Sequence, residues 1–159
     1  MARTQARRRE RFLDSYVADL INRDVRQLSE IERTGEMRAL IRLLAARSGQ
    51  LVVASDIRLP HRTVGRYLDL LKEVFLIKRV PAWSRNLSTR AIGTPKVALV
   101  DSGVAANLLD VDAGRLLGPG SAFGSLLEGF VLMELARQLT WSEERAELWH
   151  YRTRASWWI

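Results

Sequence analysis

The sequence predicts a helix-rich α+β protein, and three observations support this fold class. A stripe of apolar residues at helical spacing begins just after Pro60. A short strand-like run, residues 74–80, follows that helix directly. A nearly continuous apolar run, residues 96–101, has the pattern of a strand buried on both faces. We therefore expect three parts: a helical linker region over residues 1–50, a winged helix-turn-helix over 51–94, and an α/β part over 95–159.

Two amphipathic helices are predicted in the first part and two more in the last. The first helix spans residues 4–28 and has a basic lead-in, with arginines at positions 7, 8, 9 and 11. The second begins at about Glu30 or Thr34 and ends at Arg47, because Gly49 is a typical C-terminal stop. The last part is predicted to contain helices over 104–109 and from 122 or 125 to 139, and a strand over 147–152.

The central part contains the pattern of a helix-turn-helix. Pro60 cannot continue a preceding helix and is well placed to open the next one. The apolar residues that follow recur at helical spacing and predict a buried stripe: Val64, Tyr67, Leu68 and Leu71. Behind this helix, the run 74–80 and the segment Ser84-Arg85-Asn86 have the composition expected at the start of a wing.

Residues 57–96 contain nine Lys or Arg against two Asp or Glu, a net charge of +7 that equals the net charge of the whole chain. A basic block on a compact motif is typical of a nucleic-acid-binding surface, although a helical packing unit with an incidental arginine face has the same pattern. The N-terminal residues of a recognition helix contact base edges, and nearby arginines hold phosphates. The candidate DNA-binding residues are His61, Arg62, Thr63, Arg66, Lys78, Arg79 and Arg85.

Composition indicates a protein without a metal or other cofactor. The chain has no cysteine, which excludes disulfides and thiolate ligands, and its two histidines, His61 and His150, are not spaced as a metal pair. The glycine-rich segment 114–124 lacks a following Gly-Lys-Ser/Thr, so it predicts a connector rather than a phosphate-binding loop. No apolar run approaches the roughly 20 residues of a membrane span, and no signal peptide opens the chain. We expect a cytoplasmic protein without a membrane partner.

Several motifs occur in the order typical of the C-terminal region of a prokaryotic AAA-type ATP-binding protein family. They are Tyr67-Leu68-Asp69-Leu70-Leu71 with Val74-Phe75-Leu76, Pro81-Ala82-Trp83-Ser84-Arg85-Asn86-Leu87, Pro95-Lys96-Val97 with Asp101-Ser102-Gly103, Leu127-Glu128-Gly129-Phe130-Val131 with Glu134-Leu135, and Tyr151-Arg152-Thr153-Arg154. The chain resembles this region, which carries the domain of unknown function 4143 with a winged helix. Residues 12–28 resemble the helix that links it to the ATPase domain.

The resemblance implies a winged helix followed by a restriction-endonuclease-like α/β domain, which would be incomplete here. After Arg154 family members continue with an acidic strand, whereas this sequence reads Ala155-Ser156-Trp157-Trp158-Ile159. The chain is also shorter than the family between Ile57 and Leu59, and it lacks the ATPase domain. Glu128 matches the family's helix position and would be a remnant acid, but one carboxylate cannot assemble a metal nuclease site. Its apolar neighbours allow a buried functional acid, and composition favours the exposed edge of the helix instead.

These observations predict a duplex-DNA-binding winged-helix module from an AAA-type ATPase, without catalytic activity of its own. The alternative is a protein-interaction or oligomerisation module that serves an ATPase domain. A remnant of a metal-dependent nuclease is a third possibility. We also expect a homo-oligomer, because the strand over 96–100 lacks its natural partner strand after Arg154 and an unpaired strand invites edge-to-edge pairing. Trp157, Trp158 and Ile159 add apolar area at the C-terminus.

Overall fold

The structure, a computed structural model, describes residues 2–25, 27, 34–52, 57, 59–86, 88, 93–118 and 120–151. Within these residues the protein is rich in helix and has one small antiparallel sheet, which confirms the predicted helix-rich α+β class. Some predicted features lie outside the described residues. They are the end of the first helix at Leu28, the start of the second at Glu30, the first helix of the helix-turn-helix near Asp56, the side chain of Arg58, and the C-terminal Trp157, Trp158 and Ile159.

In the N-terminal part, two longer helices lie within the described residues. Helix α1 spans Ala2–Asp19 and continues into a π-helical turn, Leu20–Val25, whose apolar residues are buried. Helix α2 spans Thr34–Ala46, close to the predicted bounds. Gly49 follows it with a φ of +82°, a left-handed conformation that glycine adopts without strain, so its predicted role as the stop of this helix is confirmed.

Helix α3 spans His61–Glu73 and begins directly after Pro60, as predicted. Val64, Tyr67 and Leu71 are buried on its inner face, and Leu68 is partly buried beside them. The Tyr67 hydroxyl donates a hydrogen bond to the Glu36 carboxylate at 3.3 Å, which ties α3 to the start of α2. The predicted amphipathic pattern of this helix is therefore confirmed.

Three short strands form the sheet, in the order β1-β3-β2 with both pairs antiparallel. Strand β1 is Gln50–Leu51, β2 is Ile77–Val80 and β3 is Lys96–Leu99. The prediction that β3 lacks a partner strand is wrong, because β1 and β2 pair with its two edges. The oligomer that we expected from an unpaired strand loses that physical basis.

Two strand predictions are too long. The run 74–80 contributes only β2, because Val74 and Phe75 form the turn that ends α3, with Phe75 at a φ of 56°. The strand predicted over 147–152 is, in its described part, a single parallel bridge between Ala82 and His150. Two backbone hydrogen bonds support the bridge, from Trp83 N–H to the His150 carbonyl at 2.7 Å and from His150 N–H to the Pro81 carbonyl at 3.0 Å.

Three helices follow the sheet. Helix α4 spans Ser102–Leu108 and is capped by the Asp101 carboxylate, which accepts a hydrogen bond from the Val104 N–H at 2.9 Å. Helix α5, Ala113–Leu116, lies inside the glycine-rich segment, and α6 spans Phe123–Gln138. None of the helices in the described part of the chain combines the length and the apolar content that a membrane span requires.

Helices cover both faces of the sheet. Val97 and Leu99 of β3 belong to the main core, which they share with the inner faces of α2 and α3. Ala98 points to the opposite face, where it packs with Val80 of β2 and with Leu132 and Met133 of α6. Strand β3 therefore contributes alternate residues to two apolar clusters. Helix α6 contributes to both, through Leu126 to the main core and through Leu132 and Met133 to the second cluster.

Helix α6 approaches the turn between α2 and β1 very closely at Gly129. A Cβ atom added to Gly129 would lie closer to the Ser48 Oγ than nonbonded atoms come. Ser48 is buried, and its Oγ accepts a hydrogen bond from the Leu99 N–H at 3.2 Å. One turn earlier in α6, the Ser125 hydroxyl donates to the Ala46 carbonyl at 3.1 Å. These contacts fix α6 against both the turn and β3.

Candidate nucleic-acid interface

The predicted recognition residues lie on the first two turns of α3. His61, Arg62 and Arg66 are exposed, and Thr63 is partly buried. They are held in this position because the opposite side of α3 is buried through Val64 and its neighbours in the apolar stripe. Arg62 and Arg66, four residues apart, share the side of α3 opposite the buried stripe, while His61 and Thr63 lie at its margins. We call the first two turns of α3 with these four residues the α3 surface.

The hairpin side of the candidate site begins with Lys78 and Arg79 on β2. Lys78 is exposed, whereas Arg79 is partly buried and its Nη1 donates to the Asp69 carboxylate of α3 at 2.8 Å. The Arg79 Nε is buried and has no hydrogen-bond partner among the described residues. This geometry gives Arg79 a positioning role, since it holds β2 against α3. Its phosphate contact stays a prediction.

Arg85 is exposed on the segment that leaves β2. Two side-chain turns shape this segment: the Asn86 N–H donates to the Ser84 Oγ at 3.2 Å, and the Ser88 N–H donates to the Asn86 Oδ1 at 2.9 Å. Arg85 lies within the first of these turns, between Ser84 and Asn86. Residues 87 and 89–92, which include Arg90, lie outside the described part of the chain.

Glu128, the predicted remnant acid, lies on the exposed edge of α6 with 44% of its side chain exposed. It forms an ion pair with Lys96 of β3, which adds a polar link to the Gly129 contact. Among the described residues, no group of three or more His, Cys, Asp or Glu side chains is arranged to hold a metal ion. The structure thus places Glu128 where composition favoured it, and it adds Lys96 as a partner that sequence reasoning missed.

A second surface, on α6, was also missed by sequence reasoning. Its outer face carries a stripe of apolar side chains that are each between 44% and 47% exposed: Phe123, Leu127, Phe130, Val131 and Leu135. Trp141, just beyond the helix, is 68% exposed. Apolar residues occur all around α6, so their periodicity could not show which face packs against the rest of the protein and which face is exposed. An apolar stripe of this length is typical of an interaction surface.

The comparison with known protein families places the chain in one of them. The family of a domain of unknown function, DUF8612, matches residues 1–115, and the chain belongs to this family. The matched segment contains α1, α2, α3 and the whole β-sheet.

Two curated relatives are similar to the chain, an uncharacterized protein of Mycobacterium bovis and an uncharacterized protein of Mycobacterium tuberculosis. Each is 31% identical over 130 residues, a match that covers 79% of this chain and 30% of the relative. The chain therefore spans less than a third of the length of these relatives. No solved structure matches the chain significantly.

Proposed function

We propose that the protein binds duplex DNA as a winged helix-turn-helix, through the α3 surface and the β2–β3 hairpin. The observation that carries the proposal is the exposed basic side of α3 directly followed by two antiparallel strands, with Arg79 and Asp69 joining strand to helix. The element order α2, β1, α3, β2, β3, with β1 beside β3, supports it, because winged helices contain these elements in this order with one further helix before the recognition helix. That further helix would fall between β1 and α3, where residues 53–56 and 58 lie outside the described part of the chain.

The proposed contacts follow from the chemistry of these side chains. Arg62 and Arg66 carry planar guanidinium groups, which bind phosphate oxygens in a forked geometry. His61 and Thr63, at the start of α3, are placed to contact base edges, while Lys78 and Arg85 would hold the backbone beside the hairpin. The phosphate contacts would position the protein on the duplex, and the residues at the start of α3 would provide any preference for a DNA sequence.

Arg62→Ala combined with Arg66→Ala is expected to weaken duplex binding about tenfold or more, because two charged hydrogen bonds to phosphate are lost. The dependence of log K on log salt should become shallower by about 1.8 if each arginine neutralises one phosphate. Fluorescence anisotropy with a labelled duplex measures both quantities. Arg115→Ala with Arg145→Ala is the matched control, since it removes the same charge from exposed sites outside the α3 surface.

Two results would overturn this proposal. The first is the absence of measurable duplex binding by the unchanged protein at about 50 mM salt, where nonspecific electrostatic binding is strong. The second is an equal loss of affinity in the Arg115→Ala, Arg145→Ala control, which would indicate a general charge effect without a localised surface.

The larger protein context is also a proposal, and the resemblance described above supports it. We propose that α6 and the segment after it derive from an endonuclease-like α/β domain, and that a AAA-type ATPase domain is a partner of this module. No catalytic step is proposed for this chain. We expect the chain to show neither ATP hydrolysis nor metal-dependent cleavage of plasmid DNA, and assays for both activities test this expectation.

The second candidate function is protein interaction, and the outer face of α6 favours it. If this face pairs two copies, the protein should sediment as a species larger than its 18.1 kDa monomer at micromolar concentrations. Leu127→Glu with Leu135→Glu should restore the monomer, because two charges would be buried without partners in the pair. Leu117→Glu is the control, since Leu117 is 80% exposed and lies outside α6. A monomer already present in the unchanged protein at all these concentrations would refute self-association.

A further inference from the structure

In the described part of the protein, helix α1 packs against the core through its C-terminal half. Val17, Leu20 and Ile21 are buried near its C-terminal end, and the Asn107 amide of α4 donates a hydrogen bond to the Asp14 carboxylate at 2.8 Å. Over residues 4–12 the described side chains are exposed, apart from a partly buried alanine. The first turns of α1 therefore present their surface to solvent in the described part of the protein.

This exposed surface combines arginines with aromatic rings. Arg8, Phe12 and Tyr16 follow one another at intervals of four residues and so share one side of the helix. Phe12 is 68% exposed and Tyr16 is 41% exposed. Arg7 and Arg11, also four residues apart and exposed, run beside them. We call these five residues the α1 stripe.

The arginines of the α1 stripe have no acidic partner in the described part of the chain. None of the ion pairs or side-chain hydrogen bonds there involves Arg7, Arg8 or Arg11. Guanidinium groups without a carboxylate partner are ready to bind an external anion. Phe12 and Tyr16 follow these arginines along the helix. Exposed aromatic rings add nothing to the binding of a simple anion, so an electrostatic contact alone does not explain the α1 stripe.

We infer that the α1 stripe binds single-stranded nucleic acid, with the arginines on the phosphates and the rings of Phe12 and Tyr16 stacked on bases. Surfaces that bind single strands combine a basic track with aromatic platforms, because unpaired bases expose their flat faces. A duplex keeps those faces stacked inside. From Arg8 to Tyr16 the helix rises about 12 Å, which accommodates roughly two to four nucleotides. This site is separate from the α3 surface and does not depend on the function proposed for it.

The test uses labelled oligo(dT) and oligo(rU) of about 15 nucleotides, a length within the range of single-strand sites. Phe12→Ala should weaken binding roughly five- to 150-fold, the loss expected for one stacked base, without changing the salt dependence. Arg7→Gln, Arg8→Gln and Arg11→Gln together should make the salt dependence shallower by about 2, because single strands give about 0.7 per phosphate. Similar affinity for the two oligomers indicates recognition through bases and phosphates, whereas a preference for oligo(rU) adds a contact with the 2′-hydroxyl.

Two matched controls separate the α1 stripe from general surface effects. Trp141→Ala removes an aromatic ring that has the same 68% exposure as Phe12 but lies beyond α6. Arg23→Gln, Arg115→Gln and Arg145→Gln together remove the same charge from other exposed sites. Arg23 and Arg115 form exposed ion pairs with Asp24 and Asp110, and such pairs contribute little to stability. All the substituted side chains are exposed, so circular dichroism spectra should match that of the unchanged protein.

The outcomes distinguish this inference from the proposed duplex binding. Duplex binding without oligonucleotide binding would overturn this inference alone, and oligonucleotide binding without duplex binding would overturn only the proposed function. The inference about the α1 stripe would also be overturned if Phe12→Ala and Trp141→Ala weakened oligonucleotide binding equally. The same holds if variants of the α1 stripe lost duplex affinity but kept oligonucleotide affinity. Arg62→Ala with Arg66→Ala should weaken oligo(dT) binding less than the triple substitution in the α1 stripe does, since the α3 surface offers a single strand phosphate contacts without stacking rings.

Discussion

Gly129→Val is expected to destabilise the protein by about 3 kcal/mol, because the added side chain must occupy space already filled by Ser48. Ser48 has little room to move away, since it is buried and its Oγ accepts the hydrogen bond from the Leu99 N–H. The helix must therefore shift off the turn. For a chain of this size the melting temperature should fall by roughly 6–12 °C. Thermal or urea unfolding followed by circular dichroism measures the change.

Gly124→Val is the matched control for this prediction, because it makes the same substitution in the same helix. A Cβ atom at Gly124 meets nothing within 4 Å. Its effect on the free energy of unfolding should stay within about 0.5 kcal/mol, as for most surface substitutions. If the two variants unfold at the same temperature, the close packing of α6 against the α2–β1 turn is incorrect.

Leu71→Ala should cost about 2–5 kcal/mol of the free energy of unfolding, the range measured for buried leucines that leave a cavity. Leu71 is 0% exposed and lies in the main core on the inner face of α3. This variant tests the rotation of α3 about its axis. That rotation decides whether Arg62 and Arg66 face solvent, so the measurement bears on the candidate interface without any DNA present.

Leu68→Ala is the comparison for Leu71→Ala. Leu68 is on the same helix but only partly buried at the margin of the core, so its truncation should cost clearly less. Urea unfolding of both variants gives the two free energies. A larger loss for Leu68→Ala than for Leu71→Ala would mean that α3 is rotated and that its basic residues do not share one exposed surface.

Helix α3 could be predicted from the sequence almost residue by residue. Pro60 fixes its start, and the spacing of Val64, Tyr67 and Leu71 fixes its buried side, so both signals are local. The end was less clear, because Val74 and Phe75 have the composition of a strand. In the structure Phe75 takes a positive φ as the turn closes, a conformation that costs a bulky residue energy and that composition does not indicate.

The sheet could be predicted only in part. Strand β3 was expected from its apolar run, but its pairing was not, because β1 is two residues long and carries no pattern. Because β1 is so short, the sequence gives no sign that a partner strand for β3 lies earlier in the chain. Pairing between distant segments depends on the whole chain, which no local window contains.

The polar contacts of the candidate site were beyond sequence reasoning for a similar reason. Arg79 and Asp69 are ten residues apart, and Lys96 and Glu128 are 32 apart, so neither pair follows a helical or strand spacing. Charge counting treated Arg79 and Lys96 as part of a uniform basic block. The fold divides that block into residues that hold elements together and residues that face solvent.

The position of β3 in the middle of the sheet also determines how the nascent chain can fold. Gln50 pairs with Val97, so β1 can pair with β3 only after more than forty further residues have been synthesised. At about 5–20 residues per second this interval lasts seconds. During that time β1 exposes unpaired backbone groups, and β2 does so over the last part of the interval, so both could pair with another chain. Emergence of β3 from the ribosome would join the two strands in one late step, after which α6 could cover the remaining face.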